Sequence, residues 1–190
     1  MMPLATKTND SIRHATSDNG LPEAFSQSCD DLWHLCGEGI FSWSVFRFYR
    51  ARLLTQSGVF DSAKPFLLDL QYLRALTGQQ IVSTSIDEIA RLSDLSAQQR
   101  AVWSDALYAM IPNVTLGDRL LGWFVPGSGV QFFSATQRLG DIQDPEFVQM
   151  FSAIWLDERT RSPQLRLALL GPQQLAASER TAVVSIELGA

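Results

Sequence analysis

The sequence predicts an α+β domain in which an antiparallel sheet is covered on one face by helices. Three observations carry this. Several segments alternate apolar and polar residues with a period of two. Others repeat apolar residues at helical spacing and begin with recognisable caps. The two kinds come in separate runs rather than in strict alternation, which argues against a parallel βαβ sheet. With 190 residues, 46% of them hydrophobic, the chain can bury one well-filled core.

Residues 1–25 combine Ser, Thr, Asn, Asp and Lys with few large apolar groups, so they are expected to form a disordered leader. The domain is expected over 30–171. It opens with LWHLCGEG, read as a strand running into a glycine turn. From Phe41, the residues Phe41, Trp43 and Val45 alternate with Ser42 and Ser44; the phase then slips to Phe46 and Phe48, which a β-bulge between Val45 and Phe46 would reconcile. In FLLDLQYLRAL, Phe66, Leu68, Leu70 and Tyr72 share one face and Asp69 and Gln71 the other, and Gly78 closes the strand.

Helical spacing follows. Val82, Ile86 and Ile89 mark one helix, with Ser85 and Glu88 as its capping box, and a second begins at Ser96 with Gln99 three positions on. The buried stripe of the second is Trp103, Leu107, Met110 and Ile111, and the two form a helical hairpin ended by Pro112 and Asn113. Strand character returns with Leu121, Trp123 and Val125; the turn PGSG leads into Val130, Phe132 and Phe133, which predicts a β-hairpin. Asp144 caps a helix with Pro145 at its first position, and Phe147, Met150, Phe151, Ile154 and Trp155 form its apolar face. A last helix starts at Ser162-Pro163 and ends at Gly171, and the tail 172–190 is expected to add a short helix and an edge strand at 182–188.

Composition excludes several functions. A formal charge of −5 and a pI near 4.9 do not suit a nucleic-acid surface, which needs clustered Lys and Arg. No run approaches the ~18 apolar residues of a membrane span. The polar N-terminus lacks the apolar stretch of a secretory signal, so a cytoplasmic location is expected. Cys29 and Cys36 fit no redox or zinc motif, and His14 and His34 lack companions. The spacing alone leaves free thiols or a disulfide open, and no cofactor, metal site or protein partner is indicated. Asp118, in GDR, and the PGSG loop at 126–129 read as turns rather than as a catalytic acid or a phosphate loop.

Gly37-Glu38-Gly39-Ile40-Phe41 with its aromatic strand, then GDRLLGWFVPGSGVQFF, then DPEFVQMFSAIWLDERTRSPQLRLALLG, together resemble the chalcone isomerase-like family, and more narrowly its bacterial branch, over about residues 31–171. The resemblance implies an open-faced β-sandwich with a ligand cleft between sheet and helices. The family includes plant enzymes that close a chalcone to a flavanone, non-catalytic fatty-acid-binding proteins, and bacterial members of undefined role. The enzymes carry an arginine in a Gly-x-Arg arrangement that stabilises the attacking phenolate. The matching triplet here is Gly39-Ile40-Phe41, so a phenylalanine replaces the arginine. By the same match Tyr49 stands for the enzymes' threonine and Ala153 for a late helical polar residue, while the segment around Gln98 and Gln99 offers no counterpart to the helical tyrosine. Chalcone cyclisation is therefore not expected.

The expected function is non-catalytic binding of a small apolar carboxylate, such as a fatty acid. The expected site comprises Phe41, Trp43, Arg47, Tyr49, Trp123, Phe151 and Trp155, with Arg47 and Tyr49 sharing one face and Arg47 meeting the carboxylate. Two alternatives stand beside it: a scaffold whose aromatic interlayer is simply filled core, and a divergent intramolecular lyase or isomerase.

Overall fold

The computed structural model describes residues 20–29 and 31–172. Among these residues six strands form one antiparallel meander in sequence order: β1 (His34–Trp43), β2 (Phe46–Thr55), β3 (Phe66–Tyr72), β4 (Arg119–Val125), β5 (Gly129–Phe133) and β6 (Arg138–Ile142). The helical layer consists of α2 (Gly78–Leu92), α3 (Ala97–Met110), α4 (Pro145–Leu156) and a final helix α5 over 163–172. This is the expected α+β open sandwich. The expected tail elements and residues 1–19 lie outside the described residues.

The main core lies between sheet and helices. Leu53, Leu68 and Phe124 from the strands meet Val82, Ile86, Leu107, Phe147 and Leu169 from the helices. Asp144 caps α4 by accepting from the backbone N–H groups of Glu146 and Phe147, and its second oxygen accepts from Trp103 Nε1 at 3.0 Å, so one carboxylate both starts α4 and ties it to α3. Ser96 and Gln99 form the expected capping box of α3.

Four expectations are corrected. The run from Phe41 to Arg52 is not one bulged strand. It is a hairpin that reverses at Ser44 and Val45, where Ser44 takes a left-handed φ of 56°. Gly37 and Gly39 lie within β1 rather than in a turn, because α5 packs against them: a Cβ at Gly37 would stand 2.0 Å from the Ala168 carbonyl oxygen. Helix α2 begins at Gly78, capped by a box between Thr77 and Gln80, so Ser85 and Glu88 sit in its interior and cap nothing.

The fourth correction concerns the other face of the sheet, which also carries a small core. The short helix α1 (Glu23–Ser26), inside the segment expected to be leader, sets Phe25 against Trp33, Trp123 and Phe133, and Phe25 is only 1% exposed. Beside it Asp69, 2% exposed, accepts from both Arg52 and Arg119, and the same two guanidinium groups donate to the Gly20 carbonyl. An apolar plug and a shared charge clamp thus hold residues 20–29 to the back of the sheet.

Candidate functional site

A cavity of about 480 Å³ lies between the sheet and helices α2 and α4, within the range of small-molecule sites. Its walls are mostly apolar, with Leu68, Leu70 and Phe124 from the sheet and Ile81, Phe151 and Trp155 from the helices. The interlayer thus combines packed core with an open volume.

The hairpin shapes one end of it. Phe41 pairs with Tyr49 but Ser42 pairs with Arg47, so β2 takes two steps where β1 takes one, and Phe48 is the extra residue of a bulge. The bulge brings Phe48 and Tyr49 to the same side, and both line the cavity. Phe41 stacks on Tyr49 with ring centroids 5.1 Å apart and planes 19° apart, and lies 5.8 Å from Phe48. The phase slip between Val45 and Phe46 marks the hairpin reversal, and the bulge lies further on, at Phe48.

Five of the seven expected site residues, Phe41, Trp43, Tyr49, Phe151 and Trp155, line this cavity together. Arg47 does not: the bulge breaks the alternation that would have put it beside Tyr49, and it is exposed next to Ser42. Trp123 also lies elsewhere. It faces the back of the sheet against Phe25, while its neighbours Gly122 and Phe124 line the cavity. Both faces of β4 are covered, so alternation alone could not show which was which.

Apart from Tyr49, the polar lining comes from residues not expected at the site. Tyr72 is the cross-strand partner of Tyr49, their rings 5.9 Å apart, and its hydroxyl makes no hydrogen bond among the described residues. Tyr49 Oη accepts from Trp155 Nε1 at 3.0 Å. Burial pushes both phenols well above their ordinary pKa; for Tyr49 the Trp155 hydrogen bond acts the other way and the charge of Glu88 adds to the rise, and for Tyr72 the neighbouring Tyr49 adds to it. Both are therefore neutral donors at physiological pH rather than bases.

Glu88 and Arg161 provide the charges. Glu88 is held by Arg161 and, at 2.9 Å, by Arg91, and Ser85 lies one turn before it on the same wall. The pair first read as a cap is thus part of the cavity lining. The signal was present, since Ile81, Ser85, Glu88 and Leu92 recur at helical spacing with two polar residues inside an otherwise apolar stripe. Arg161 and Thr160 follow α4 in a loop, where periodicity is silent.

Elsewhere both cysteines are free thiols. Cys36 lies 3.3 Å from the Thr55 hydroxyl, and burial raises its pKa. Among the described residues no group of three or more His, Cys, Asp or Glu could hold a metal, and no helix is long and apolar enough to cross a membrane. Asp118 accepts from the Thr115 backbone and hydroxyl in a turn, and Val125 pairs with Gly129 across the PGSG hairpin, as expected.

The family model described as chalcone isomerase-like matches residues 18–171. Among curated proteins none matches the sequence. Among solved structures, the crystal structure of a fatty-acid binding protein from Arabidopsis thaliana superposes with a TM-score of 0.58 at 10% identity, covering 73% of this chain and 86% of that one. At that identity the likeness is one of fold.

Proposed function

The chain belongs to the chalcone isomerase-like family, and on that premise we propose that it is a non-catalytic binding protein for a small apolar acid, such as a fatty acid, held between sheet and helices. The observation that carries the reading is the apolar cavity of about 480 Å³ in which Phe41, which the sequence resemblance matches to the enzymes' arginine, stacks on Tyr49. A stacked phenylalanine offers hydrocarbon surface and no charge to a developing phenolate. Neutral Tyr72 can donate to a polar head, and Arg161 supplies a cation at the mouth. The apolar tail would lie along Leu68, Leu70 and Phe151. The family's fatty-acid-binding members and the fold shared with the Arabidopsis protein support the same reading.

Native mass spectrometry of the freshly purified protein tests it. A co-purifying mass in the acyl-lipid range, or a saturable shift with added fatty acid, is the expected result. A mass unshifted by a panel of fatty acids overturns it. Phe41→Arg should leave chalcone cyclisation at the uncatalysed rate, because the other polar groups of the enzymes are absent as well; clear turnover would favour the divergent-isomerase reading.

A further inference from the structure

We propose that the tip of the β1–β2 hairpin docks on anionic phospholipid bilayers. Three large apolar side chains crowd this reversal and are exposed among the described residues: Trp43 is 54% exposed, Val45 86% and Phe46 55%. The tip overhangs the sheet, since the last backbone bond from β2 toward β3 is the one the Phe48 carbonyl accepts from Leu73, and Phe46 and Arg47 lie beyond it. Ser44 holds the reversal in a left-handed conformation that a serine adopts only at a cost.

Arginines surround the apolar tip. The Arg74 guanidinium lies over the rings of Phe46 and Phe48 at 5.0 and 5.1 Å, and that of Arg161 lies 6.0 Å from Trp43. Arg47 follows directly in the strand and is exposed. Neither Arg47 nor Arg74 has a carboxylate partner among the described residues, in a chain whose formal charge is −5. Aromatic residues inserted at headgroup depth, with guanidinium groups at the phosphates, are the composition that suits an anionic membrane interface.

A second copy of the chain or a globular partner suits the tip less well. A stable protein interface needs roughly 600–1,000 Å² from each side, more than a two-residue reversal and its flanks present. Trp43 and Phe48 also line the cavity, as does Arg161, so a docked tip would turn the cavity mouth toward the lipid. The docking does not depend on the binding proposal; only ligand exchange with the bilayer would.

Flotation of the full-length protein with vesicles of phosphatidylcholine or phosphatidylglycerol, without added ligand, tests the docking. Selective capture by phosphatidylglycerol is expected. Capture should fall about tenfold in V45S/F46S and about fivefold in Arg47→Ala, positions that do not line the cavity. Unchanged thermal melts and native-mass ligand shifts in these variants would separate lost docking from lost folding or lost ligand binding. Absence of capture, or capture equal in wild type and V45S/F46S, overturns the proposal. So does concentration-dependent dimerisation that V45S/F46S abolishes, which would assign the tip to self-association.

Discussion

Trp155 Nε1 donates to Tyr49 Oη at 3.0 Å across 106 positions of sequence, and this bond ties α4 to the bulged strand of the hairpin. Removing the acceptor in Tyr49→Phe leaves a buried indole N–H unsatisfied and should cost about 1–3 kcal/mol. In Y49F/W155F the penalty should be less than additive, with a coupling of about 0.5–1.5 kcal/mol in urea denaturation. Additive losses would mean that the contact contributes packing only.

The two phenols make stability fall in alkali. Each has a pKa raised by burial above the ordinary value of 10.0, so between that value and the folded pKa the unfolded chain gives up protons that the folded chain keeps. Their contribution is intact below pH 10 and is lost as pH rises further. Tyr72→Phe should flatten this decline, as followed by denaturation midpoints across the alkaline range, and the tyrosinate absorbance contributed by Tyr49 and Tyr72, taken as the difference between wild type and Y49F/Y72F, should rise with unfolding rather than before it.

Glu88 tests the charge of the ligand. In Glu88→Gln the cation at the mouth loses its carboxylate partner, so a long-chain fatty acid should bind roughly threefold to tenfold more tightly, while its methyl ester should bind as before. Calorimetric titration distinguishes the two. An equal change for acid and ester would show that Arg161 does not meet a carboxylate.

On the back of the sheet, Asp69→Ala would leave Arg52 and Arg119 mutually repelling in a largely buried setting. A loss of about 3–5 kcal/mol is expected, together with faster proteolysis near Gly20 as the clamp opens. Phe25→Ala should cost a comparable ~3–5 kcal/mol through the cavity it leaves. Proteolysis that stays slow in Asp69→Ala would show that the apolar plug holds the segment alone.

Much of this architecture is legible in the sequence because it follows from local signals. Ser96 with Gln99, Asp144 before Pro145, and PGSG between two aromatic runs each mark a boundary that the structure keeps. Strand β6 is not legible as a separate element, since in RLGDI the only large apolar residues, Leu139 and Ile142, do not alternate. The errors cluster where the deciding partner is distant. Gly37 and Gly39 look like turn residues until Ala168 and Leu165 arrive from the far end of the chain. The cavity was half legible: its aromatic wall could be read along one strand and one helix. Tyr72, Glu88 and Arg161 converge only through tertiary contacts, and the bulge at Phe48 turned Arg47 away.

The seating of α5 on the glycines of β1 bears on how the molecule is made. A ribosome delivers the first strand long before this helix, and each strand of this meander pairs with its successor in sequence, so the sheet can assemble in the order of synthesis, with β3 and β4 joining once α2 and α3 between them have been made. The notch at Gly37 stays empty until Ala168 emerges. Completion of the β1 edge is thus deferred until that helix has been made, and a chain stopped just short of it would present an unfinished edge, open to pairing with the wrong neighbour.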